Sequence, residues 1–201
     1  MFRALAYVLV AAIAAFTAPV AGLPARTGYT YPIAQAPAEL RPAIQQADMA
    51  IVELQTAVLL ELRAKLARDG PTVLMKSCHL WGVAAAYRVE RQEGIAVGRT
   101  SNRLRNPKNA PRSWAAPIVE LYDDRRPPDV GGFVVDVDDR VGVLRPIYLQ
   151  ASCGACHGPL KTLDRRVRAE LDELYPGDRA VGYRTGDLRG WFWVEVPKKG
   201  P

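Results

Sequence analysis

The sequence predicts an α+β fold, an antiparallel sheet with helices on one side. Three observations carry this. Residues 37–90 hold two stretches of helical periodicity separated by the breaker Asp69-Gly70-Pro71. From Gly94 the pattern changes to short apolar runs such as Phe133-Val134-Val135-Asp136-Val137. Those runs are joined mainly by hairpins and loops, which favours antiparallel pairing.

The first residues are not part of that fold. Met1-Phe2-Arg3 is a short positive start, and Ala4 to Gly22 carries no charge and is rich in Ala, Val, Leu and Ile. Val20-Ala21-Gly22 offers small residues at the −3 and −1 positions of a cleavage site, and Ala18 is a second one. Residues 1–22 therefore read as an export signal, with the mature chain starting near Leu23 outside the bacterial cytoplasm. An uncleaved membrane anchor is the alternative, because the uncharged stretch is just long enough to span a bilayer. The dominance of alanine, with Pro19 and Gly22 at its end, favours cleavage. The rest of the chain holds no other transmembrane candidate. The net charge of +6 would suit nucleic acid. Export excludes that partner, and the charge reads as a basic, soluble surface.

Residues 23–37 contain Pro24, Gly28, Pro32 and Pro37 and read as an extended lead-in. A single domain is expected over 38–197. Its first helix runs from Pro37 to Arg68, with Leu40, Ala43, Ile44, Ala47, Ile51, Leu54, Val58, Leu62 and Leu66 near a 3.6 period. Arg63, Lys65 and Arg68 suit its C-terminal end. A second helix from Pro71 to Glu90 completes a helical hairpin, with Gly70-Pro71 at its start. Ile95 to Val97 is a short strand, residues 99–116 a polar loop, Ile118 to Tyr122 a helical turn, and Arg125-Arg126-Pro127-Pro128 a loop. Phe133–Val137 and Val141–Tyr148 form a hairpin turned at Asp138-Asp139, with Pro146 expected to bend or end the second strand. Pro159 to Leu174 reads as a helix with Leu163, Val167 and Leu171 on one face. Gly190 to Val196 is a last, aromatic strand, on which Trp191 and Trp193 share a face as packing residues or as a wall of a cofactor pocket.

Chemistry concentrates at Cys153-Gly154-Ala155-Cys156-His157. This Cys-x-x-Cys-His run is the attachment signature of a c-type haem: two thiols add to the two vinyl groups, and the adjacent histidine supplies an axial nitrogen. With three Cys and two His in 201 residues, chance produces such a run roughly four times in ten thousand. A redox dithiol, half a zinc site or a disulfide would each leave the histidine as coincidence. One covalent haem c is the expected cofactor, with Cys153 and Cys156 binding it and His157 on the iron.

Cys78 is then the odd cysteine. Leu74, Met75, Cys78, Trp81, Gly82 and Ala85 recur at three- and four-residue spacings, so Cys78 faces inward. The small residues Gly82, Ala84, Ala85 and Ala86 would let a flat cofactor approach the backbone. A thiolate can bind haem iron, but a buried inert thiol fits the pattern equally well. His79, about 100° round the helix, and Met75 are the other candidate sixth ligands. Arg99, Arg103, Arg105, Lys108 and Arg112 concentrate positive charge, and arginine pairs with carboxylates in a fork. Arg99 or Arg105 is therefore expected on the haem propionates.

The sequence resembles a PAS-like c-type haem family long described as a domain of unknown function. Its members stand alone in the periplasm or form the sensor half of membrane-bound signalling proteins. The helix around Cys78 carries part of the likeness. Val97-Gly98-Arg99-Thr100-Ser101 with Leu104-Arg105-Asn106-Pro107-Lys108-Asn109-Ala110-Pro111 and Trp114 is the specific part. The haem motif with Gly158, Tyr175-Pro176-Gly177-Asp178, Ala180, Gly182-Tyr183 and Gly186-Asp187-Leu188-Arg189-Gly190 completes it. The resemblance implies a PAS-like antiparallel sheet with a long N-terminal helical hairpin and a covalently bound haem. It also implies axial ligation by the motif histidine and a distal cysteine, here His157 and Cys78.

The expected function is an exported monohaem c-type cytochrome acting as a redox or gas sensor, with a diatomic gas as a ligand. No kinase, cyclase or receptor module follows Pro197, so a redox or signalling partner protein is expected. A periplasmic electron-transfer cytochrome is the alternative. A peroxidase-like enzyme, which would need an open iron and a distal acid–base group, is the least expected.

Overall fold

Helical periodicity from Leu40 onward becomes α1 (Arg41–Glu93), the first large element of the computed structural model, which describes residues 28–122 and 130–198. Within α1 the side chains of 71–85, 88, 89, 92 and 93 lie outside that description. The expected export signal of residues 1–22 and the expected loop at 125–128 also lie outside the described residues. Pro42 opens α1 where its missing N–H costs nothing. Gly70 breaks it with φ 77° and ψ 175°. Only glycine takes that conformation cheaply, and Pro71 bars the preceding residue from the helical region. The break separates two arms, as expected. Ala57 and Val58 before it and Ala86 after it pack on the same core. Gly94, left-handed at φ 65°, ends the second arm, its amide donating to the Glu90 carbonyl at 3.0 Å.

The sheet has five strands: β1 (Thr30–Pro32), β2 (Ala96–Thr100), β3 (Phe133–Val137), β4 (Arg140–Tyr148) and β5 (Leu188–Pro197). Their order is β1-β3-β4-β5-β2, with every pairing antiparallel. The expected hairpin is β3–β4, turned at Asp138, whose φ of 42° is the one positive value outside glycine among the described residues. Two expectations need correction. Part of the lead-in is a strand, β1, which lies at the sheet edge beside β3. Pro146 does not end β4: it lies opposite Trp191. β3 stops at Phe133, opposite Leu144, so β4 is locally an edge there and a missing N–H breaks no ladder.

Alternation divides the sheet. On one face Val97, Val134, Val141, Val143, Phe192, Val194 and Val196 meet Leu40, Ile44, Ala47, Ile51 and Leu54 of α1 in the main core. On the other, Val135, Leu144 and Trp191 pack with Ala115 and with Ile118 and Val119 of α2 (Ala116–Leu121). Helices therefore cover both faces, not one, although α2 is short. Trp193 belongs to this second cluster and lies across Gly98, where a Cβ would fall 2.5 Å from its ring. The Arg112 guanidinium lies over that ring, 4.3 Å from its centre. Trp191 and Trp193 do share a face, and it is a packed one turned away from α1.

After β4 come α3 (Gly154–His157) and α4 (Arg165–Leu174). The helix expected from Pro159 starts only at Arg165, because the Asp164 carboxylate accepts from the Arg166 amide at 2.7 Å and caps it. Leu163, Val167 and Leu171 form a third apolar cluster with Cys156 and Val181 packed against it. Among the described residues no helix is long and apolar enough to cross a membrane.

Candidate functional site

The Cys-x-x-Cys-His run folds as a single helical turn. Cys153 is its N-cap, and α3 ends at His157. Helical spacing puts His157 about 40° from Cys153 on one side and Cys156 about 60° from it on the other, so the three side chains share one face of the turn. Both cysteines are half-buried, and neither forms a disulfide. The Gly158 amide closes the turn on the Gly154 carbonyl at 2.9 Å. A Cβ at Gly158 would meet that same oxygen at 2.5 Å, so the turn requires glycine there. Among the described residues no three His, Cys, Asp or Glu side chains converge as a metal cage.

The turn is held from outside by the segment before β5. The Tyr183 amide donates to the His157 carbonyl at 3.0 Å, and the Gly182 amide to the Gly158 carbonyl at 2.8 Å. Leu149 is tied to this segment at both of its backbone groups, through Asp187 O and Gly186 N. His157 Nδ1 lies 2.7 Å from the Ala180 carbonyl oxygen. That distance needs the hydrogen on Nδ1, which leaves the lone pair of the neutral ring on Nε2. Arg189 Nε also lies 3.4 Å from Nδ1. Since Nδ1 already carries a hydrogen, that approach is electrostatic and not a second hydrogen bond.

Burial, followed by the charges of Arg189, Arg105 and Arg99, lowers the His157 pKa well below its ordinary value, against the bond to Ala180. The imidazole is therefore neutral at pH 7, in the form that binds metals. Burial likewise lowers the pKa of Arg189, which remains a guanidinium.

Arg99 lies on β2 opposite Phe192, and Arg105 lies in the loop that follows. The two differ in their engagements. Arg105 Nη2 donates to the Cys156 carbonyl at 2.7 Å and meets Asp178 Oδ2 at 3.0 Å, while its Nε reaches the same oxygen at 3.1 Å. The other Asp178 oxygen accepts from the Ala180 amide at 2.8 Å. Arg105 and Asp178 thus link the motif turn to the carbonyl that orients His157. Arg103 is spent on two carbonyls, with Nε to Arg179 O at 3.0 Å and Nη2 to Val181 O, and its guanidinium lies 4.2 Å from the Tyr183 ring. No acidic side chain pairs with Arg99 or Arg189 among the described residues.

The side chains of Arg105 and Asp178 are only 12% and 8% exposed, so solvent screens this pair little. Asp178→Ala is expected to cost about 3 kcal/mol, because it leaves a buried guanidinium unpaired. Urea unfolding measures this, and a loss under ~1 kcal/mol would mean that the pair behaves as a surface one.

The structure gathers Cys153, Cys156, His157, Arg99 and Arg105 at one end of the sheet. The side chains of Cys78, His79 and Met75 lie outside the described residues, and the backbone assigns all three to the second arm of α1. Sequence reasoning gave no role to Arg189, Tyr183, Ala180 or Asp178. A lone glycine inside a strand pattern, Gly190, was the available signal for Arg189, since it marks a bulge.

A mixed α+β chain with a five-stranded antiparallel sheet and a Cys-x-x-Cys-His turn braced at its end is the class that fold and site define. The profile of the Tll0287-like family matches residues 34–197, and the chain belongs to that family. It is similar to a solved structure, the crystal structure of the cyanobacterial heme-protein Tll0287, at 27% identity and a TM-score of 0.59, over 80% of this chain and 98% of that one. No curated protein matches the chain.

Proposed function

We propose that this chain is an exported, periplasmic monohaem c-type cytochrome with a PAS-like sheet, which acts as a redox or gas sensor through a His/Cys-ligated iron. The observation that carries the reading is the motif turn: two thiols sharing one face with a neutral imidazole whose Nδ1 is committed to Ala180 so that Nε2 is left to ligate. The family and the likeness to a heme-protein support it. So does the positive surplus around His157, which suits a cofactor carrying two carboxylates.

A haem held there would supply a redox-active iron. Cys153 and Cys156 would hold it through thioethers and His157 through Nε2, with Cys78 as the second protein ligand, a thiolate that would be protonated if His79 or a diatomic gas replaced it. Cys78 belongs to the second arm of α1, which leads through Gly94 to β2, so a change of ligand there would reach the sheet. In this reading the chain is not an enzyme and passes its state to a separate redox or signalling protein.

Electron paramagnetic resonance and absorption spectra of haem-loaded wild type and Cys78→Ala, oxidised and reduced, test the proposal. A low-spin thiolate signal in the ferric wild type, absent from the variant and lost on reduction, is the expected result. Matching spectra would remove Cys78 from the iron and leave His79 or Met75. The net charge of +6, which suits docking to an acidic redox partner, favours a second reading as an electron-transfer cytochrome. An axial pair unchanged between oxidation states would select it.

A further inference from the structure

We propose that Arg189 and Arg99 form the two-armed anchor for the carboxylates of the bound haem, with Arg189 aimed there by a β-bulge. The proposal rests on the haem reading and goes beyond it in naming the anchor.

The bulge is read from the register. Ile147 pairs with Gly190, yet Tyr148 pairs with Leu188, so Arg189 is the extra residue of β5. Its effect on side-chain direction follows from packing. Leu188 packs in the same cluster as Trp191 and Leu144, on the face turned from α1. Under strict alternation Arg189, and not Leu188, would share that face with Trp191. The extra residue reverses this and turns Arg189 to the α1 side. Arg99 lies on that side too, opposite Phe192 of the main core. The bulge thus brings two guanidiniums from neighbouring strands to one end of one face, beside His157.

Neither guanidinium is explained by the protein alone. Arg189 reaches the Arg103 carbonyl only at 3.5 Å, and the Tyr183 ring centre lies 5.3 Å away. Neither Arg99 nor Arg189 has an acidic partner among the described residues. A partly buried cation held among like charges calls for an anion. Around His157, Arg99, Arg105 and Arg189 face a single carboxylate, Asp178, which is committed to Arg105. The surplus of two positive charges equals the charge of two haem carboxylates, and the fork of arginine matches their shape. Arg105 has its guanidinium occupied by Asp178 and Cys156 O and acts as a positioning residue for the motif turn.

The test uses the haem-loaded full chain, with Arg189→Gln, Arg99→Gln, Arg105→Gln and, as a control on the opposite face, Arg112→Gln. Resonance Raman spectroscopy reads the carboxylate bending mode of the haem, and redox titration reads the midpoint potential against pH. Arg189→Gln and Arg99→Gln are each expected to shift the mode and to alter the pH dependence of the potential from that of the wild type. Arg112→Gln is expected to change neither. Should Arg189→Gln fail to fold, Arg189→Lys keeps the charge but not the fork and is expected to shift the mode. A mode unmoved in both Arg189 and Arg99 variants overturns the anchor, as does a mode that moves only in Arg105→Gln. Wild-type protein that carries no haem at all overturns the anchor together with the reading beneath it, so the two failures are told apart.

Discussion

Replacing Cys153 and Cys156 together with serine is expected to abolish covalent retention of haem while leaving the fold in place. Both side chains are half-buried and of nearly the volume of serine, and Cys156 alone of the two packs on the third apolar cluster. The turn itself is held by groups the substitutions do not touch: the Gly158 amide, the Tyr183 amide and the Arg105 guanidinium. A denaturing gel stained for haem separates the outcomes. The wild type should keep its colour through denaturation, and the double variant should lose all of it. Retention of the stain in the variant would detach the motif from cofactor attachment and return Cys153 and Cys156 to the role of a redox dithiol.

Gly190→Ala should produce the largest loss of stability of any single methyl added to the sheet. Its φ is 159°, and a Cβ there would lie 2.4 Å from the Thr100 backbone oxygen and 3.0 Å from the Ser101 Cβ. The nearest obstacle is backbone in the neighbouring strand, so relief requires β2 to move away from β5 and breaks the end of their ladder. The cost is expected at about 3 kcal/mol or more, read as a drop in the urea midpoint. The same displacement separates Arg99 from Arg189, so any haem-loaded variant should also show the disturbed carboxylate mode. Near-wild-type stability would mean that the bulge is looser than its geometry indicates.

Much of this was legible in the sequence because periodic elements carry their own signal. The stripe Leu40, Ile44, Ala47, Ile51 and Leu54 is the buried face of α1, and Gly70-Pro71 marks its break. The β3–β4 hairpin appears where alternation and Asp138-Asp139 put it. The motif residues were legible because their types and spacing stand in the sequence itself, without any period of the fold to read. β1 was missed because three residues at a sheet edge are too few to show a period. α2 was read as a turn, but nothing in six residues says that they close the second face of the sheet. The frame around His157 is the least legible part. Ala180 acts through a carbonyl that every residue possesses, and Asp178 meets Arg105 across an interval that only the folded chain closes. Arg189 reads as an ordinary strand arginine until the register places one residue too many beside Tyr148.

The strand order also carries a consequence for assembly. β3 and β4 are joined by a tight turn and can pair as soon as both are made, whereas β2 must wait for β5, the last strand in the chain. Closing that distant ladder, like that of β1 on β3, is entropically slow. Cys153 and Cys156 lie between β4 and β5, in the part of the chain still unpaired at that stage. Their sulfurs are therefore open to covalent chemistry early. The charges of Arg99 and Arg189 and the carbonyl of Ala180 are brought around His157 only when the final strand docks, so the exposure of the two thiols and the completion of the surroundings of His157 belong to different moments of folding.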